Sequence, residues 1–195
     1  MWTKALWEHD LQFVQWFAVV AASVLAAATD ARSRRIPNLL TAPLLLAGLA
    51  WSYAVAGFSG LADGAAACCV LAAPYVVLFL LAGGGAGDAK LMGAIGTWLG
   101  LANGLVVLAC VSIAAVLMAL ALALARRQVR SVAVNLALMG WDGLFFLVSG
   151  GKSKMPVGEP TGPTGRQKMP YGIAICVGVM MAFGGTILWR SVLTS

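Results

Sequence analysis

Charge is scarce in this chain. Only 10% of its 195 residues are charged and seven are acidic, against 61% hydrophobic residues and a mean hydropathy of +0.91. That balance excludes an ordinary soluble domain and puts the chain in a lipid bilayer. Histidine occurs once, at His9, and no cluster of His, Cys or carboxylates has ligand spacing, so no metal site and no cofactor is expected. Cysteine is limited to Cys68, Cys69, Cys110 and Cys176, all inside apolar stretches and without a C-x-x-C pair, which argues against a zinc site or disulfide framework. The net charge of +6 comes from basic residues scattered between apolar runs, so no nucleic-acid partner is expected either.

What remains is mostly long apolar sequence. At roughly 20 residues per crossing, hydropathy and breakers predict an all-α integral membrane protein in one domain, a bundle of about six spans near 11–29, 39–57, 61–82, 89–101, 105–125 and 171–189. The first run ends in Ala26-Ala27-Ala28, like a cleavable signal. However, Glu8 and Asp10 precede it and the basic cluster follows it, so it reads as an uncleaved helix.

Lys and Arg accumulate on the cytoplasmic side of membrane proteins. With six spans, eleven of the thirteen basic residues fall in loops on one side, leaving only Lys4 and Arg190 on the other, which predicts an N-terminus outside. The apolar stretch 131–148 is read as a cytoplasmic interfacial segment between spans five and six, because a crossing there would carry Lys152, Lys154, Arg166 and Lys168 outside. The Pro- and Gly-rich stretch 150–170 reads as a loop, either a lid or a plain connector.

In this setting two carboxylates stand out. Asp30 closes the first run, and Asp88, in Gly85-Ala86-Gly87-Asp88-Ala89-Lys90-Leu91, opens the fourth. Ionisable groups at membrane depth are costly and are functional candidates by default. The predicted topology puts both on the cytoplasmic face. Two facing carboxylates cannot both ionise, so one keeps a proton while the other acts as base, and the pair can activate water. Blander roles also fit: Asp88 as a helix cap, Asp30 as a counterion to Arg32, Arg34 or Arg35. The glycines Gly85 and Gly87 allow unusual backbone and close approach, with room for a peptide.

These residues resemble the type IV prepilin peptidase family, membrane aspartic peptidases with a G-x-G-D motif. Asp30 followed by Arg34-Arg35-Ile36-Pro37-Asn38 is similar to the first motif, Gly85 to Leu91 to the second, and Met169-Pro170-Tyr171-Gly172 to the segment that opens the last span. The resemblance implies an enzyme of the bacterial inner membrane that removes the leader of prepilins at the cytoplasmic face, working beside pilus-assembly machinery. It implies Asp30 and Asp88 as the catalytic pair, with Gly85, Gly87, Lys90, Asn38, Pro170, Tyr171 and Gly172 as motif or substrate-binding positions. For Lys90 a snorkelling anchor is the competing role. The short length resembles the minimal branch serving Flp-type or tight-adherence pili. The cytoplasmic domain of the larger bifunctional members is absent, so methyltransferase activity is not expected. The rival reading is a small proton- or cation-coupled transporter using the same two carboxylates. Neither a repeat nor a mid-span position for either acid supports it.

Overall fold

The structure is a computed structural model, and it describes residues 2–33, 36–82, 85–125 and 171–194. All the described elements are helices: α1 Trp2–Ser33, α2 Asn38–Ala82, α3 Ala86–Ala125 and α4 Tyr171–Thr194. Each contains a stretch long and apolar enough to cross a membrane: Leu11–Ser33, Asn38–Leu80, Ala86–Leu122 and Tyr171–Leu188. The chain divides into two compact units, and the account below concerns the one made of Met1–Ala115 and Lys168–Ser195. The expected interfacial segment 131–148 and the loop 150–170 lie outside the described residues.

Among the described residues, four helical elements stand in place of the expected six. Runs 39–57 and 61–82 belong to one element, as do 89–101 and 105–125, because the turns between them shrink to single glycines. Gly57 has φ 64°, ψ −145° and Gly100 has φ 70°, ψ −179°, values open to glycine and strained for other residues. Helix resumes at once on either side, so each element is two helices joined across a kink at a single glycine.

The glycine in α2 is nonetheless a reversal. A straight helix of 45 residues would be about 68 Å long, more than twice the hydrocarbon thickness. Before Gly57 the chain meets α3 in parallel register: Lys90 Nζ donates to Asn38 Oδ1 at 2.9 Å, and Trp98 Nε1 to the Leu44 carbonyl at 2.8 Å. After Gly57 the register is antiparallel, with Gly96 against Ala67 and Gly93 against Cys68. A helix that meets one partner first parallel and then antiparallel has turned round. Both the start and the end of α2 therefore return to the N-terminal end of α3.

Small residues and buried polar bonds hold α2 on α3, as expected where lipid removes the hydrophobic drive between helices. A Cβ at Gly96 would lie 2.8 Å from the Ala67 backbone, and Ser52 Oγ donates to the Thr97 carbonyl at 2.6 Å. Helices α1 and α4 pack antiparallel. Trp16 meets Phe183 with ring centroids 5.5 Å apart, and fourteen residues further along α1 Asp30 meets Gly172. Val19, Ala26, Leu91, Met92, Ile95, Val111, Ile175 and Val179 fill the interior between these elements. Large apolar side chains such as Phe17, Leu39 and Leu80 face outward, as a bilayer-facing surface requires.

Candidate active site

The site forms where the C-terminal end of α1, the N-terminal ends of α3 and α4 and both ends of α2 meet. Asp30 lies in the last turn of α1 and Asp88 in the first turn of α3. Both residues are buried, at 8% and 9% exposure, and their carboxylates are close enough for the charge of Asp30 to act on Asp88.

Local chemistry explains the position of Asp88. Gly85 has φ 98°, and its carbonyl accepts the Ala89 N–H at 3.0 Å, which starts the helix. A Cβ on Gly85 would lie 3.4 Å from Asp88 Oδ2, so the carboxylate curls back over the turn that Gly85 opens. A negative group there is favoured by the helix dipole. Gly87 serves a different purpose: a Cβ there would lie 3.2 Å from Ile36 Cβ, so the segment leading into α2 runs directly over the first turn of α3. The Pro37 carbonyl then accepts the Leu40 N–H at 3.0 Å and launches α2.

Two sequence motifs are therefore joined in space by Gly87 against Ile36 and by the hydrogen bond from Lys90 to Asn38. Lys90 is exposed along its length, but its ammonium has a specific partner beyond a general anchoring role. The third motif joins through Gly172, the second residue of α4. Its backbone N–H donates to Asp30 Oδ2 at 2.9 Å in a buried setting. The N-terminus of a helix presents unpaired N–H groups and positive dipole, and here they meet a carboxylate. Tyr171 is 43% exposed beside it, while Pro170, Arg34 and Arg35 lie outside the described residues.

Sequence reasoning placed Gly172 among the motif or substrate-binding positions without a specific role and did not single out Tyr75. Tyr75 is partly buried against the core, with its phenol in electrostatic reach of Asp88 and Tyr171. The available signal was a lone polar tip late in an apolar run, thirteen residues before Asp88. An apolar groove of about 500 Å³ between α1, α3 and α4, lined by Phe13, Trp16, Val106 and Phe183, contains neither aspartate. The chemistry lies at the other end of α1.

Two buried carboxylates within electrostatic reach of each other, one of them held by a backbone N–H, form the kind of pair that can share a proton and activate water. Residues 17–122, more than half the chain, match the sequence profile of the type IV leader peptidase family. No curated protein and no solved structure matches.

Proposed function

The chain belongs to the type IV leader peptidase family, and from that premise we propose that it is a membrane-embedded aspartic endopeptidase that removes the N-terminal leader of type IV prepilins. The observation that carries this reading is the meeting of Asp30 and Asp88, buried and electrostatically coupled at one end of the helices. The ionised carboxylate takes a proton from water as its oxygen attacks the scissile carbonyl carbon, and the protonated one hydrogen-bonds and then protonates the carbonyl oxygen. Collapse of the tetrahedral diol returns a proton to the pair, breaks the C–N bond and protonates the departing amine. The dyad ends with one proton, as it began.

Prepilins of the Flp type are the proposed substrates, supported by the resemblance to the minimal branch of the family. The proposed location is the bacterial inner membrane with the site at the cytoplasmic face, beside the pilus-assembly machinery. Nothing among the described residues favours the transporter reading.

Asp30→Asn and Asp88→Asn are each expected to lower cleavage of a purified prepilin by at least about a thousandfold, since each removes half of an acid–base unit that acts together. Both proteins should remain inserted with wild-type thermal unfolding in the same detergent. Full activity in either variant would remove that residue from the mechanism.

A further inference from the structure

We infer that Gly172 is a positioning residue that sets the roles within the pair: its N–H holds Asp30 as the ionised base and leaves the shared proton on Asp88, the acid. The catalytic side of this inference rests on the peptidase reading above.

The backbone geometry carries it. Gly172 N–H donates to Asp30 Oδ2 at 2.9 Å in a buried setting. A hydrogen bond given to a carboxylate favours its ionised form, and the same bond to a neutral carboxyl is roughly half as strong. Among the described residues it is the one hydrogen bond that either carboxylate receives. Helix dipoles do not reverse the asymmetry. Asp88 lies in the first turn of α3, which favours charge. Asp30 lies in the last turn of α1, which opposes charge, and against the N-terminus of α4, which favours it. A dipole at a helix end is typically worth roughly a third of a hydrogen bond to a charged group, so the directed bond decides.

The other titratable groups facing the pair are Tyr75 from α2 and Tyr171 from α4, phenols that stay neutral where carboxylates titrate. Lys90 is exposed and bonded to Asn38, and Arg32 is exposed on α1. Two like charges in close reach do not both ionise. A charge fixed on Asp30 therefore keeps the proton on Asp88, which its field reaches.

Each proton transfer then has an owner. Asp30 takes a proton from water as the water oxygen attacks the scissile carbonyl carbon, and Asp88 gives its proton to the carbonyl oxygen. On collapse Asp88 recovers a proton from the diol as the C–N bond breaks, and Asp30 gives its proton to the departing amine nitrogen. Both acids end as they began.

NMR of the full chain in lipid nanodiscs, with the aspartate carboxyl carbons isotope-labelled, reads the proton directly and needs no activity. Asp30→Asn and Asp88→Asn each delete one signal and so assign the two. As pH falls, the Asp88 signal of wild type should move to the protonated position first and the Asp30 signal only at lower pH. Semisynthesis that replaces the amide joining Tyr171 to Gly172 by an ester removes only the N–H. The two titration steps should then draw together or exchange. Against a prepilin the ester chain should lose about tenfold in kcat, the scale of one hydrogen bond to a charged group, with KM within about twofold. The acidic limb of its kcat/KM should move to higher pH, because the base has lost the donor that favoured its charge. Asp30 protonating before Asp88 in wild type, or both together, overturns the assignment, and so does a wild-type titration in the ester chain. If wild type cleaves no prepilin while Asp88 protonates before Asp30, the peptidase reading fails and the placing of the proton stands.

Discussion

Gly172 shows how much a single missing side chain contributes. Its N–H reaches Asp30 Oδ2 at 2.9 Å only because nothing stands between the two backbones. A Cβ there would lie 2.9 Å from Asp30 Cβ and 3.1 Å from the accepting oxygen. Neither neighbour can yield easily, since Asp30 belongs to a packed helix and its carboxylate is half of the dyad. Gly172→Ala is therefore expected to destabilise the fold by about 1–3 kcal/mol, the usual cost of overpacking. It should also lower prepilin cleavage at least about tenfold by displacing Asp30. Thermal unfolding and cleavage measured on the same preparation check this, and wild-type cleavage in the alanine variant would show that the contact is not needed for catalysis. Gly85 is required for a separate reason, its φ of 98°, so the glycines of these motifs are not interchangeable.

At the scale of the element, the two broken helices invite a comparison. Gly57 and Gly100 both adopt backbone that a side chain strains, at about 1–3 kcal/mol. A Cβ at Gly57 would meet nothing within 4 Å, whereas one at Gly100 would collide with Asp63 Oδ2. That same oxygen accepts the Leu101 N–H at 3.2 Å, capping the helix as it resumes. Gly57→Ala and Gly100→Ala should both lower thermal stability, and Gly100→Ala should do so further by about 1 kcal/mol, the worth of a cap. The opposite order in unfolding measured in one detergent would contradict this account. These breaks also mark the limit of what the sequence revealed. The apolar runs were legible and their edges fall near 57 and 101, because glycine and hydropathy are local signals. That helix resumes within a residue, and that Asp63 holds the second break, depend on contacts 38 residues apart. The same applies to the site: the chain order announces Asp30, Gly85, Gly87 and Asp88, but the bonds from Gly172 to Asp30 and from Lys90 to Asn38 arise only from packing.

For the whole molecule, the consequence is that one end carries the chemistry. The C-terminal end of α1, the N-terminal ends of α3 and α4 and both ends of α2 meet there, bringing together Asp30, Asp88, Gly172, Asn38, Lys90 and Tyr75. Arg32 and Lys90 are exposed at that end, whereas Lys4 lies near the opposite end of α1. Helix α1 has 32 residues, about 48 Å at the helical rise, enough to separate its two ends by a bilayer. Basic residues favour the cytoplasmic side, so the dyad should face the cytoplasm, where a prepilin leader is presented before export. Replacing Cys68, Cys69, Cys110 and Cys176 by alanine and adding either Lys4→Cys or Arg32→Cys tests this in intact cells whose outer membrane has been permeabilised. A membrane-impermeant maleimide should label Lys4→Cys directly and Arg32→Cys only after the inner membrane is opened. The reverse pattern would turn the dyad outward and overturn cleavage at the cytoplasmic face, even if both aspartates proved essential.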